Sequence, residues 1–247
     1  MRYTQVKVTE SINDKNIMKA VFLAGGGGSG KSFIAEHMFL TKDGISPFGV
    51  KIVNSDYFFE LGLKKANLPM TIKSDGSEVY DQQMAVRSDA KAKAQVKKNY
   101  HIDSLLPIII DGTGKDYDDI VSQAEELKNI GYDVSMVLVN TSLEVSLERN
   151  AKRARKIDPN IVTTAWTGVQ SNIGKFQKYF GRENFLIIDN STYFEPDSKE
   201  SEKFLDYLFK MGKKMIEKPL KNPKGITIIK TLEDIGGKYL SDLFGEA

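Results

Sequence analysis

Cysteine is absent from this chain of 247 residues, and histidine occurs only twice. Without cysteine the protein forms neither a disulfide nor a thiolate zinc site, and such a composition suits the reducing cytoplasm, where we expect the protein. Apolar runs are too short to cross a bilayer, and residues 1–9 lack the apolar centre of a signal peptide. The sequence therefore predicts no membrane association. Neither His37 nor His101 has metal-ligand spacing around it, which indicates structural or surface roles.

Net charge is also small. The chain has 35 basic and 33 acidic residues, a formal charge of +2, whereas strong non-specific binding of nucleic acid usually needs a larger basic excess. A local basic face would still permit nucleic acid as a partner. Hydrophobic residues make up 40% of the chain and charged residues 28%, which is typical of a soluble protein with a sizeable core.

Apolar strands alternate with helical segments along the first 190 residues. We predict strands over residues 19–24, 50–54, 105–110, 133–139 and 185–188, and helices over residues 31–39, 80–98, 118–130, 142–155 and 165–180. Alternation of this kind predicts an α/β fold with a mostly parallel sheet of five to six strands and helices on both faces. Residues 61–79 have few periodic signals and are predicted to form a long loop or a short helix.

Residues 24–32 read Ala-Gly-Gly-Gly-Gly-Ser-Gly-Lys-Ser and match the P-loop pattern. In such a loop the backbone N–H groups and a helix N-terminus surround phosphate oxygens. Lys31 would neutralise the β- and γ-phosphates, and the Ser32 hydroxyl would bind Mg²⁺. The alternative is a flexible glycine-rich turn. The predicted nucleotide-binding residues are Gly25, Gly26, Gly27, Gly28, Ser29, Gly30, Lys31, Ser32 and Phe33.

Acidic residues follow two of the other strands. Asp56 is a candidate catalytic base that accepts a proton from an attacking hydroxyl, and its alternative role is a helix cap or loop carboxylate. Asp111 ends the most apolar strand and is a candidate for holding Mg²⁺ or for binding substrate hydroxyls. Thr113 and Lys115 would face the same crevice as substrate contacts.

Arginines follow the fourth strand. Arg149 and Arg153 lie four residues apart, which predicts a shared helix face that stabilises the transferring phosphoryl group. The alternative is a solvated basic face, and we interpret Arg87, Lys91 and Lys98 in that way.

At these motifs the sequence resembles the zeta-toxin family of P-loop kinases, and it is similar to polynucleotide kinases and chloramphenicol phosphotransferases. Four blocks carry the resemblance, at residues 25–32, 53–56, 110–115 and 147–149, within a region of about residues 18–190. The resemblance implies that Asp56 is the catalytic base, that Lys31 and Arg149 bind phosphate, and that Asp111, Thr113 and Lys115 contact the substrate. In the toxins that substrate is a UDP-activated amino sugar, phosphorylated on a sugar hydroxyl.

The sequence departs from the family at the acceptor side. The family's usual acid before Gly-Thr is Glu, and here it is Asp111; the usual Arg after this block is Lys115. The second lid arginine has no counterpart in residues 158–167, and Arg153 or Arg155 would substitute for it. We expect residues 1–190 to be a P-loop kinase domain with an N-terminal extension, and residues 191–247 a C-terminal helical extension. Within that extension we predict a helix at 202–218, a linker at 219–224, a short strand at 226–229 and a terminal helix at 231–244.

Three functions agree with these residues. The first is a kinase that uses ATP or GTP with Mg²⁺ to phosphorylate a hydroxyl of a small molecule, a nucleotide or a nucleotide sugar. The second is a kinase of polynucleotide 5′ ends or of a modified DNA base, supported by basic residues around 87–98 and 213–224. The third is a nucleotide-binding interaction protein without transfer activity, although the Asn-Lys-x-Asp motif of GTPases is absent. The sequence leaves open whether an antitoxin partner exists.

Overall fold

The computed structural model describes residues 16–244, with side chains to residue 236. Five apolar segments form one parallel sheet in the order β2-β3-β1-β4-β5. They are β1 (Lys19–Ala24), β2 (Lys51–Val53), β3 (Ile108–Asp111), β4 (Asp133–Asn140) and β5 (Phe185–Asp189). The predicted α/β fold with a parallel sheet is confirmed.

Eight helices connect and cover these strands in the described part of the chain. They are α1 (Lys31–Phe39), α2 (Asp56–Lys65), α3 (Glu78–Asp103), α4 (Tyr117–Asn129), α5 (Leu143–Lys152), α6 (Pro159–Phe180), α7 (Lys199–Ile216) and α8 (Pro223–Phe244). Polar side chains cap the starts of several: Ser77, Asp116, Ser142, Asp158 and Ser198 each accept a backbone N–H of the helix that follows. No helix of the described residues is both long and apolar enough to cross a membrane.

Alternate residues of β1 enter two different cores, as the pleat of a strand requires. Phe22 packs with Tyr132 and Phe176 in the layer that α4 and α6 cover. Val21 packs with Ile34 and Leu208 in the opposite layer, which α1 and α7 cover. The central strand is therefore buried on both faces.

The order of the strands places a crevice above β1. The chain leaves β1 through α1 on one face of the sheet towards β2, and it leaves the neighbouring β3 through α4 on the other face towards β4, so the two connections diverge. In open α/β sheets, ligands bind at such a switch point, beyond the carboxyl ends of the strands. The glycine-rich loop follows β1 directly at this edge.

Three predicted elements are wrong in part. Residues 226–229 belong to α8 rather than to a strand, because the Asn222 side chain accepts the N–H groups of Lys224 and Gly225 and so begins a helix there. Helix α5 ends at Lys152, so Arg153 has extended backbone and does not continue the helix face of Arg149. Residues 61–79, predicted as a long loop or a short helix, instead contain the end of α2 up to Lys65, a connection, and the start of α3 at Glu78.

Candidate active site

The glycine-rich loop between β1 and α1 is a close-fitting turn. Gly28 and Gly30 have φ angles of 82° and 85°, in the left-handed region that glycine favours. A Cβ atom on Gly28 would lie 2.2 Å from the carbonyl oxygen of Ser146, and one on Gly30 would lie 2.3 Å from Nδ2 of Asn190. Larger residues at these two positions would displace the loop.

Hydrogen bonds fix the loop to residues that follow two other strands, β3 and β5. The backbone N–H of Gly25 donates to the carbonyl oxygen of Thr113, which follows β3, over 2.9 Å. Nδ2 of Asn190, which follows β5, donates to the carbonyl oxygen of Ser29 over 2.8 Å. Nζ of Lys31 donates to the carbonyl oxygen of Gly25 over 2.9 Å, so the lysine lies on the loop itself. A strand, a glycine-rich turn and a helix thus follow one another as the motif requires, and phosphate binding by these residues stays a prediction.

Asn54 links the two acidic residues of the site. Its Nδ2 donates to Oδ2 of Asp111 over 2.7 Å, and its Oδ1 accepts the backbone N–H of Asp56 over 2.6 Å. The carboxyl end of β3 and the start of α2 are therefore connected through one side chain.

Asp111 lies where a cation is favoured. Burial raises the pKa of this carboxyl, and the neighbouring Asp56 adds to the rise, while Lys31, Arg153 and Asn54 oppose it. Its Oδ1 is buried and receives no hydrogen bond from the described residues. Hard divalent cations favour carboxylate and hydroxyl oxygens. The Asp111 carboxylate therefore fits Mg²⁺, although no cluster of three acidic or histidine ligands occurs among the described side chains.

A cavity of about 650 Å³ adjoins the loop. One side is polar, and the other is an apolar wall from α2, α3, α6 and the segments beside them. Six of the predicted site residues meet in its lining, namely Gly27, Lys31, Asp56, Asp111, Thr113 and Lys115. The apolar wall contains Phe59, Ile72, Tyr80, Met84, Ile157, Ile161, Val162 and Ala165.

The other predicted residues lie outside this lining. Nη1 of Arg149 donates to the carbonyl oxygen of Asn190 over 2.8 Å, behind the glycine-rich loop. Arg153 is exposed after the end of α5. Ser32 and Phe33 are exposed at the start of α1, and the Phe33 ring packs on His37 with centroids 4.2 Å apart. Arg149 and Arg153 therefore do not line the acceptor cavity, although Arg153 lies close enough to Asp111 to oppose the rise of its pKa.

Several residues of the site were not predicted from the sequence. Asn190 supports the loop, and Asn172 donates from α6 to the carbonyl oxygen of Lys115 over 2.9 Å. The signal for Asn190 is its place directly after a strand, at the edge where ligands bind. The interpretation of Arg87, Lys91 and Lys98 as a solvated face is wrong for Lys98, which is buried with its Nζ on Gln123. Lys91 is exposed as predicted, and it lines the cavity together with the half-buried Arg87.

Three solved structures are similar to this chain. A chain of the PezAT toxin-antitoxin system of Streptococcus pneumoniae aligns with 17% identity and a TM-score of 0.49, over 83% of this chain and 88% of that one. The AvrRxo1-ORF1:AvrRxo1-ORF2 structure with sulphate ions aligns with 15% identity and a TM-score of 0.54, over 79% and 67%. The Pnkp1/Rnl/Hen1 RNA repair complex aligns with 20% identity and a TM-score of 0.50, over 75% and 54%.

At these identities the two structures with TM-scores of 0.50 or more show the fold alone. No curated protein matches the sequence. The model of the Zeta toxin family matches residues 5–200, which is well over half of the chain and includes the glycine-rich loop, Asp56, Asp111 and Arg149. The chain therefore belongs to the zeta toxin family of P-loop kinases.

Proposed function

We propose that this protein transfers the γ-phosphoryl group of ATP or GTP to a hydroxyl of a small molecule, a nucleotide or a nucleotide sugar. One observation carries the proposal: Lys31 of the phosphate-binding loop and the carboxylates of Asp56 and Asp111 line the same cavity. A nucleotide phosphate at the loop and an acceptor in the cavity would therefore meet at Asp56.

The donor half of the site binds phosphate. Backbone N–H groups of the loop and the N-terminus of α1 would surround the phosphate oxygens, and Lys31 would neutralise their charge. ATP as the donor is supported by a structure of AvrRxo1-ORF1:-ORF2 with ATP, 16% identical with a TM-score of 0.50 over 74% of this chain and 59% of that one. Ser32 and Asp111 would hold Mg²⁺, which offsets phosphate charge in such kinases.

The acceptor half orients a hydroxyl. Asp56 lies at the N-terminus of α2, with its carboxylate on the cavity wall. It would accept the proton of the attacking hydroxyl while the hydroxyl oxygen bonds to the γ-phosphorus and the bond from that phosphorus to the β–γ bridging oxygen breaks, which releases ADP or GDP. Phosphoryl transfer has a loose transition state, so that catalysis depends mostly on positioning and on charge stabilisation. A carboxylate that fixes the direction of the hydroxyl is therefore sufficient for this role.

The cavity supports an acceptor that carries an anionic group. Arg87 and Lys91 occupy successive turns of α3 and line the cavity. The Arg87 guanidinium lies over the Phe59 ring, 5.4 Å from its centroid, and has no carboxylate partner among the described residues. Cations without carboxylate partners beside an apolar wall suit a nucleotide or a nucleotide sugar.

A polynucleotide acceptor is less well supported. The basic segment 213–224 packs at the amino end of β4, where Asp133 accepts the N–H groups of Lys221 and Asn222, whereas the glycine-rich loop lies at the carboxyl ends. The two basic regions therefore do not line one continuous groove around the loop. A polynucleotide kinase should bind oligonucleotides with an affinity that falls steeply with salt.

Asp56→Asn tests the proposal. Transfer from radiolabelled ATP or GTP is measured across UDP-activated amino sugars, nucleosides and 5′-hydroxyl oligonucleotides. We expect the variant to lower kcat by about 10²–10⁴-fold, as the loss of a positioned acid–base group does. Nucleotide affinity, measured by calorimetry, should change little because Asp56 is not part of the loop.

Asp118→Asn is the matched control, since it removes the charge of an exposed aspartate on α4 outside the cavity lining. It should retain full activity. A wild-type protein that hydrolyses ATP briskly yet phosphorylates no acceptor would contradict the proposal. Equal activity of Asp56→Asn and wild type would instead indicate a nucleotide-binding protein that performs no transfer.

A further inference from the structure

Arg155 is a buried cation on the short segment 153–158 between α5 and α6. Its side chain is only 6% exposed. Nη2 donates to Oδ2 of Asp56 over 2.5 Å, and Nε donates to Oε1 of Glu60 over 3.1 Å. Asp56 and Glu60 lie one turn apart on α2, so one guanidinium joins two carboxylates of the same helix face. The lid role that the family resemblance suggested would instead place this arginine on nucleotide phosphate.

The backbone on both sides of Arg155 is held in place. The N–H of Ile72 donates to the carbonyl oxygen of Lys156 over 2.8 Å, and the N–H of Asp158 donates to the carbonyl oxygen of Ile72 over 3.1 Å. The Asn150 side chain donates to the carbonyl oxygen of Ile157 over 2.6 Å and accepts its N–H over 3.1 Å. These four bonds fix where the segment can place a side chain.

The guanidinium also has a fixed apolar support. It lies over the ring of Phe59, 5.6 Å from the centroid, and Phe59 is fully buried. Glu60 bonds the edge of the guanidinium at Nε. The Phe59 ring, the Glu60 carboxylate and the hydrogen-bonded backbone together restrict the Arg155 side chain. Its position is therefore set before any ligand binds.

Asp56 receives its orientation from two sides. Asn54 accepts its backbone N–H, and Arg155 bonds one oxygen of its carboxylate. The other oxygen, Oδ1, receives no hydrogen bond from the described residues and stays available to an acceptor hydroxyl. A carboxylate that is 40% exposed would otherwise rotate among several rotamers.

We infer that Arg155 is a positioning residue for phosphoryl transfer: it acts through Asp56 by holding that carboxylate towards the acceptor. The inference rests on the proposed function, in which Asp56 orients the hydroxyl. It gives the segment 153–158 a role on the acceptor side of the site, whereas Arg149 supports the donor side. The competing account is that the Arg155 bridge only joins the segment to α2 and contributes to stability.

Arg155→Ala tests the inference, with transfer from ATP to a UDP-activated amino sugar and to water as the two measured reactions. Misplacing a catalytic group by about 1 Å costs up to about 10²-fold in rate, so we expect kcat to fall by about 10–100-fold. The ATP KM should stay within about twofold, because this arginine does not touch the glycine-rich loop. Lys156→Ala is the control: it removes an exposed cation from the same segment and should behave as wild type.

Two further measurements separate positioning from stability. Guanidinium ion at millimolar concentration, far below denaturing levels, should restore part of the Arg155→Ala rate, since the missing group lines an open cavity. It should leave Lys156→Ala unchanged. The double variant Asp56→Asn/Arg155→Ala should be no slower than Asp56→Asn alone, because residues that act through one another are not additive. Arg155→Lys, which keeps the charge without the fork, should give an intermediate rate.

Additive losses in the double variant, or a loss that guanidinium does not restore, would overturn the inference. So would an Arg155→Ala rate within about twofold of wild type. If Asp56→Asn abolishes transfer while Arg155→Ala does not, the inference alone fails. If Asp56→Asn leaves both reactions unchanged, the proposed function fails.

Discussion

At the scale of the single residue, burial and the neighbouring positive charges act in opposite directions on the pKa of Asp111. It lies near the positive charges of Lys31 and Arg153, yet burial is the larger effect and raises its pKa. A carboxyl whose pKa is raised on folding is stabilised when protonated, so the folded state loses stability relative to the unfolded chain as pH rises through that raised pKa. The ionised form is the one that would hold Mg²⁺, so stability is lower where function is possible.

Asp111→Asn should therefore be more stable than wild type at alkaline pH. In EDTA we expect its melting temperature to exceed that of wild type by a few degrees at pH 8. The difference between the two melting temperatures should vanish near pH 4, close to the ordinary carboxyl pKa of about 3.9. There the folded wild type has a protonated, neutral Asp111, as neutral as the asparagine of the variant. The amide oxygen of the variant side chain would still accept the N–H of Asn54. Calorimetric scans across pH check the trend, and a difference that grows towards acid pH would contradict it.

Single residues also show how much of the candidate site could be predicted from the sequence. Lys31, Asp56 and Asp111 were predicted because each directly follows a strand or lies in the loop after one, and parallel strands bring their carboxyl ends together. Arg155 was named only as a substitute for a lid arginine. Its contact with Asp56 depends on the course of the chain after α5, which backbone hydrogen bonds to the distant Ile72 hold in place.

At the scale of the element, the glycine-rich loop depends on its neighbours as much as on its own backbone. Gly28 combines a left-handed φ with close approach to the carbonyl oxygen of Ser146 on α5. Gly44 has a similar φ of 73°, but a Cβ atom there would meet nothing within 4 Å. A comparison of substitutions at Gly28 and Gly44 therefore distinguishes the effect of backbone strain from that of steric contact.

Gly28→Ala should destabilise the protein more than Gly44→Ala and should weaken ATP binding as well. For Gly44→Ala we expect only left-handed strain, about 1–2 kcal/mol, and unchanged ATP affinity. Gly28→Ala adds displacement of the loop from α5, so the free energy of unfolding should fall further and the Kd for ATP should rise at least about tenfold. Urea denaturation and calorimetry measure the two quantities. Equal effects of both variants would show that the contact with Ser146 is unimportant.

Element boundaries were predictable only where local signals decided them. Helix α1 and strand β1 have the predicted limits, because an apolar run ends in glycine and the helix begins at Lys31. The segment 226–229 consists mainly of β-branched residues, which favour a strand. The residues before this segment favour a helix instead, because the Asn222 side chain accepts a backbone N–H and begins the helix. Gly225 packs against Gly131, and a Cβ atom on Gly225 would lie only 2.2 Å from the Gly131 carbonyl oxygen.

At the scale of the whole molecule, α7 covers the face of the sheet that also holds α1. Leu208 and Ile216 are fully buried in that layer beside Ile34. A Cβ atom on Gly212 would lie 2.1 Å from the carbonyl oxygen of Met38, so the backbones of α7 and α1 are in direct contact. The division of the chain at residue 190 stays a prediction, and we propose that the first 190 residues need α7 to complete their core.

A chain shortened to residues 1–190 should therefore be far less stable than the full chain. Leu208, Met215 and Ile216 each stabilise the fold by about 1.5–3 kcal/mol through burial, and total stabilities are only about 5–15 kcal/mol. We expect the short chain to bind a hydrophobic dye, to unfold at lower urea and to lose the ATP affinity of α1 and its loop. A second chain ending at residue 222 keeps α7 and removes only α8, and should stay folded. If the 190-residue chain instead unfolds cooperatively at the urea midpoint of the full protein, α7 is dispensable and the division at residue 190 marks an independent kinase domain.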